Sequence, residues 1–199
     1  MARYDFLVET YRTERLKTLS AWSQVPDARM EWRPETRARS PHEHMVHQCA
    51  SEQAFMQTML GIAISLPVLP AVEHRLAFLQ HYAATSAERL AALEQKPEDW
   101  FEEEATFFDV RRSRAWILTR RLMHSAHHRA QLTTYIRFWG VPLYSTYGPT
   151  ADTGGLPVNG GKVAYRYRSV EQLLASELAG GESPPLPGPG VKSPTERPT

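Results

Sequence analysis

The sequence predicts an all-α protein, a four-helix bundle followed by a C-terminal extension. Three observations predict it. Four segments of helical length carry apolar residues at helical period. Strand-like alternation is nearly absent. Proline, glycine or capping residues punctuate the ends of those segments. The chain has 199 residues, enough for one domain and a modest tail.

The first helix is expected from about Tyr4 to Ser23, where Phe6, Leu7, Tyr11, Leu16, Leu19 and Trp22 form a broad apolar stripe and Pro26 and Asp27 end it. An extended connection follows to Arg39, carrying Met30, Trp32 and Pro34. The second helix starts sharply. Ser40-Pro-His-Glu43 is a capping box with proline at the first helical position, and the helix should run to about Ile64, before Pro67 and Pro70. His47 shares a face there with Ser51, Ala54 and Thr58, a small-residue strip suited to close packing. The third helix is expected from about Ala71 to Gln95, closed by Lys96 and Pro97. Residues 98–110 place Trp100, Phe101, Phe107 and Phe108 among acids, a loop or short hairpin. The fourth helix is expected from about Val110 to Trp139, with Gly140 as C-cap. Apolar residues surround it, including Trp116, Met123, Leu132 and Phe138, so it should be central and buried.

Beyond Gly140 the composition becomes loop-like. Residues 162–168 suggest a short strand, and Ser169 to Leu178 a short helix stopped by Gly180 and Gly181. The division expected is residues 1–152 for the bundle, 153–181 for an extension and 182–199 for a Pro/Gly-rich tail, mobile or extended.

Composition excludes several functions. With 23 basic and 22 acidic residues there is no concentrated positive charge for nucleic acid. The cluster Arg111, Arg112, Arg114, Arg120 and Arg121 reads as a solvated or salt-bridged helix face. No apolar run is long enough to span a bilayer, and the amphipathic N-terminus lacks a signal-peptide core. Cys49 is the only cysteine, which excludes an internal disulfide and a zinc–thiolate structural site and makes the cytoplasm the default setting. It reads as a small helix residue.

The histidines are unevenly placed. His42, His44 and His47 open the second helix, and His124, His127 and His128 cluster in the fourth. His124 and His128 are four residues apart, so they project about 40° apart and one turn along the axis. Two such imidazoles can grip one metal ion, and the same spacing also fits a hydrogen-bonded pair of core histidines. His127 lies further round the helix. Gln131 falls on the His124–His128 face. One histidine from the second helix would complete three neutral nitrogen ligands with an open fourth position, the pattern of catalytic sites. Imidazole ligation suits zinc, nickel, copper or iron.

Two segments then carry a resemblance. His124-Ser-Ala-His-His128-Arg129-Ala-Gln131 resembles the HxxxHRxQ signature of the DinB-like metalloproteins, and Ser40-Pro-His-Glu-His-Met-Val-His47, with Glu52 five residues on, resembles their second-helix segment. Glu14-Arg-Leu16, Trp32-Arg-Pro34 and the Gly140-Val-Pro to Asp152 stretch add to it. The resemblance covers about residues 4–152 and implies an antiparallel bundle with a long crossover. It implies one divalent transition metal, zinc first and nickel second, held by His47, His124 and His128. Gln131 is the candidate group behind a ligand. It also implies homodimers and a small-molecule substrate, with no nucleic-acid or membrane partner. The expected reaction is metal-dependent transfer of a low-molecular-weight thiol to an electrophile. A metal-dependent hydrolase and a non-catalytic, metal-stabilised bundle are the alternatives.

Overall fold

A computed structural model describes residues 3–189 and shows a mostly helical protein. α1 (Asp5–Ser23) matches the first expected segment and buries Leu7, Tyr11, Leu19 and Trp22. α2 (Pro41–Gln53) opens on the capping box. The Ser40 hydroxyl accepts from the Glu43 amide, and the Glu43 carboxylate accepts from the Ser40 amide. This helix does not continue to residue 64. Regular geometry stops at Gln53, and Ala54–Met59 form a π-helical turn. The wider turn lets Phe55, Met56 and Leu60 all be buried, although they would spread around a regular helix. Gly61, at φ +68°, ends it.

α3 (Arg75–Glu94) starts later than expected because His74 is its N-cap, its Nδ1 accepting from the Ala77 amide at 3.1 Å. The aromatic–acidic stretch contains both a helical turn, α4 (Glu98–Glu102), and a hairpin of β1 (Glu104–Phe107) and β2 (Val110–Ser113). That hairpin claims residues 110–113, so α5 (Arg114–Phe138) begins after Ser113, whose hydroxyl caps the Trp116 amide. α5 ends as expected. Gly140 takes φ +70°, and the amides of Gly140 and Val141 return to the carbonyls of Arg137 and Ile136.

α5 is not buried all round. Trp116, Met123 and Phe138 are 42%, 61% and 67% exposed, and they share one face. Apolar character on both faces of a helix therefore misled here: one face is core and the other is surface. The arginine cluster is also split. Arg111 and Arg112 lie on β2, Arg120 is exposed, and Arg121 is fully buried.

Contacts between helices run in opposite orders. Arg12, Arg15 and Ser23 of α1 meet Glu94, Ser86 and Arg75 of α3. Ser51 and Gln48 of α2 meet Arg121 and Ser125 of α5. Two apolar clusters result. One gathers Leu19, Trp22, Met45, Phe78, Tyr82 and Ile136, and the other Leu7, Tyr11, Met56, Leu93, Ile117 and Leu118. A buried polar layer joins them. The Glu52 carboxylate accepts from Tyr11 at 2.6 Å and Tyr82 at 2.8 Å, and pairs with Arg89 at 3.4 Å and Arg121 at 3.5 Å.

Residues 162–168 form no strand. Their backbone bonds go to single loop residues, such as the Ser145 amide to the Ala164 carbonyl at 2.9 Å, so no ladder develops. α6 (Val170–Leu178) is capped by Ser169 as expected and buries Leu173 among residues of α1 and α3. The buried Glu177 carboxylate anchors it to Arg75, Arg166 and Tyr167. The Pro/Gly-rich tail lies against the loop after α5 through Tyr144 with Pro184 and Gly154 with Gly188, and its residues 190–199 lie outside the described residues. No described helix is long and apolar enough to cross a membrane.

Candidate metal centre

Opposed packing of α2 on α5 brings His47 to His124 and His128. The His47 Nε2 lies 3.4 Å from the His124 Nε2, which lies 3.0 Å from the His128 Nε2. One ligand atom from each ring falls within 4.8 Å of the others, and this is a group among the described residues that could hold a metal ion. Tetrahedral zinc with Zn–N of about 2.0–2.1 Å sets ligand nitrogens about 3.3 Å apart. Two of the three spacings bracket that value and the third lies within 4.8 Å, so the donor set fits such an ion with small ring adjustments.

The far ring nitrogens differ. His128 Nδ1 sits 2.8 Å from the Gln131 side-chain oxygen. That oxygen only accepts, so Nδ1 carries the proton and Nε2 presents its lone pair inward. His124 Nδ1 instead faces Arg121 at 2.9 Å. A guanidinium only donates, so this neutral ring carries its proton on Nε2, among the three imidazoles. Holding a cation requires the other tautomer, with Arg121 resting on its remaining acceptors. Those are the hydroxyls of Ser51 at 2.7 Å and Ser125 at 2.9 Å and the Glu52 carboxylate at 3.5 Å.

Burial keeps the rings neutral, the form that donates to metals. Burial, then the Arg121 charge, pushes His124 down to about 3. Burial, then Arg39, pushes His47 down to about 4. Burial lowers His128 too, against an opposing contribution from Gln131.

The other histidines fall outside the group. His44 is buried against His128 and Tyr135, with ring centroids 5.4 and 5.8 Å away, and neither ring nitrogen has a hydrogen-bond partner. Burial drives it down to about 3. His127 is exposed. His42 bonds Glu73 at 2.6 Å, and His81 bonds the Val68 carbonyl. Cys49 is buried, which pushes its thiol up to about 12, consistent with a packing residue. The strip beside His47 is not closely packed: Ala54 and Thr58 are exposed, and only Ser51 turns inward to Arg121.

Sequence reasoning missed Arg121. Its spacing carried a signal, since three residues before His124 and four before Ser125 is the same helix face. Its partner Glu52, on another helix, was marked by the family resemblance but not as a partner of Arg121. Arg129 of the signature points away from the histidines. It pairs with Glu14 of α1 and bonds Thr18 and Tyr147, tying α5 to α1 and the loop.

Fold and site together define a helical protein with a three-histidine candidate metal centre between two helices. A family model described as the DinB family matches residues 2–154, and the chain belongs to that family. Two solved structures share the fold. A DinB-like protein from Bacillus cereus aligns with a TM-score of 0.63 at 14% identity, covering 71% of this chain and 95% of that one. A DinB-like protein from Bacillus subtilis aligns with a TM-score of 0.55 at 17% identity, covering 70% and 97%. No curated protein matches the sequence.

Proposed function

We propose that this protein is a metal-dependent enzyme that transfers a low-molecular-weight thiol to an electrophile. The convergence of three Nε2 atoms from His47, His124 and His128 carries the reading. Those residues would hold one divalent transition metal, zinc first and nickel second, with Gln131 orienting His128. Such an ion, with a coordination position free, acts as a Lewis acid that favours the thiolate over the thiol. In the transfer the sulfur bonds the electrophilic carbon, the leaving group departs with the bonding pair, and the thiol proton goes to water.

The preference for transfer over hydrolysis rests on the family resemblance, and the buried carboxylate bears on the hydrolytic alternative. Hydrolysis profits from a nearby general base. The buried carboxylate between the same helices, Glu52, is occupied by two arginines and two tyrosines, which hold it ionised and out of reach. Hydrolysis here would therefore rely on a metal-activated water without Glu52 as its base.

The proposal extends to assembly. The four long helices form an antiparallel bundle in which the connection from α2 to α3 is the crossover, and the chain pairs with a second copy. The exposed apolar face of α5, with Trp116, Met123 and Phe138, supports the pairing. Sedimentation of Met123→Lys beside the parent chain tests it, and a monomeric parent would refute it.

The functional test joins elemental analysis to turnover. Untagged protein prepared without chelator should contain about one equivalent of a divalent transition metal. It should also conjugate a thiol to chlorodinitrobenzene, and chelation should stop it. A metal-loaded protein inactive with every thiol offered would sink the enzyme reading and leave a metal-stabilised bundle. Metal-dependent ester cleavage instead would replace transfer by hydrolysis.

A further inference from the structure

We propose that the small molecule received at the histidine centre is an anion, and that Arg39 binds its anionic group. This inference rests on the metal reading and adds the charge class of the substrate.

The charge inventory around the centre is one-sided. Its three side chains are neutral imidazoles, so an ion held there keeps its full positive charge. Behind it, one carboxylate, Glu52, faces two guanidinium groups, Arg89 and Arg121, all about 1% exposed. The buried layer is therefore itself left with a positive excess.

The outer side of His47 opens on a surface cleft of about 670 Å³, which Arg33, Arg37, Arg39, Glu43 and Glu73 also line. All but one of these charges are engaged. Arg33 makes two hydrogen bonds to Glu43, and Arg37 pairs with Glu35 at 3.1 Å. Glu73 is bonded by His42. Arg39 forms no hydrogen bond or ion pair among the described residues, although it follows a run of paired charges and precedes the rigid cap of α2. It lines the same cleft as His47. On the α5 side Arg120 is exposed as well.

The cleft borders the His47 edge of a cation site and keeps one guanidinium uncommitted, while its carboxylates are already bonded. It attracts a molecule with a carboxylate, phosphate or sulfonate, for which the arginine fork is the matching donor. The second charge then holds the molecule while its donor atom reaches the centre.

The test uses the full chain loaded with cobalt(II), whose absorption reports the ligand set. It compares 3-mercaptopropionate with its methyl ester. The expected result is about tenfold tighter binding of the carboxylate form, as one charge-assisted contact provides. That preference should fade in Arg39→Ala, return in Arg39→Lys, persist in the distant Lys96→Ala and weaken with salt. Equal affinities in the parent chain, cobalt bands that neither thiol perturbs, or a preference unchanged in Arg39→Ala would each overturn the inference and leave the metal reading standing. Absence of cobalt bands would overturn the metal reading, and the anion inference with it.

Discussion

The Glu52 layer and the histidine triad lie side by side on the same helices, yet their polar atoms are satisfied in opposite ways. Glu52 is ringed by Tyr11, Tyr82, Arg89 and Arg121, so the protein answers its own charge. The triad turns its Nε2 atoms on one another, and Gln131 supports only the outer edge of one ring. Burial that is answered from within builds structure. Buried ring nitrogens that converge on one another, with a single proton shared among them, leave donors that a cation from outside could claim, and this separates a candidate site from a polar core. Arg121 belongs to both, since it touches Glu52 on one side and His124 on the other.

The sharpest break in that contrast is to remove a triad member. His124→Ala or His128→Ala should take the metal content from about one equivalent to none, read by elemental analysis. His44→Phe should leave it intact, because that ring lies outside the converging group. Metal lost with His44→Phe and kept with His47→Ala would reverse the assignment on α2.

Removing Glu52 should act on the fold instead. Glu52→Ala strands two buried guanidinium groups and should cost about 3–5 kcal/mol in urea unfolding. A loss below about 1 kcal/mol would show that water reaches the layer and that it is not sealed, as surface pairs contribute no more than that.

Acid should expose the difference again. His44, His47 and His124 are held at about 3 to 4 in the folded chain, against about 6.5 when unfolded. Between those values the unfolded chain binds more protons. Stability of the metal-free protein should therefore fall as pH drops below about 6.5. Glu52 is held low for another reason. Burial alone would raise it, but Arg121, Arg89 and two tyrosine hydrogen bonds outweigh burial. Its stabilisation is present above about pH 4.3 and is lost only as pH falls through its depressed folded value. Thermal melts across this range should show a decline in two stages, and His44→Phe should flatten the first. A melting temperature level from pH 7 to pH 5 would contradict the buried neutral histidines.

Smaller effects sharpen the edges of the triad. Gln131→Ala should weaken metal binding about tenfold to hundredfold, as loss of a group behind a ligand does. His127→Ala should shift stability by less than about 0.5 kcal/mol and leave metal binding unchanged.

Local chemistry was what the sequence made legible. Ser40 and Glu43, Gly140, Ser169 and the i, i+4 histidines act within one or two turns of chain, and each lies where its spacing placed it. The missed features depend on distant partners. Arg121 reads as solvent-facing until Glu52 and Ser51 arrive from α2. The π-helical turn at Ala54–Met59 exists because Phe55, Met56 and Leu60 share one core, which no local pattern encodes. The start of α5 shifted because Val110–Ser113 pair with Glu104–Phe107, a choice between hairpin and helix made by the partner strand.

Two of the three converging imidazoles sit one helical turn apart on α5, while His47 lies 77 residues from His124 along the chain. A half-grip of two nitrogens therefore survives wherever α5 stays coiled. The third arm arrives only when α2 is docked. An ion offered to this chain would sense that docking through its own affinity, binding weakly to a loosened molecule and tightly to a closed one. The centre is thus a gauge of how well two remote stretches of polypeptide are held together.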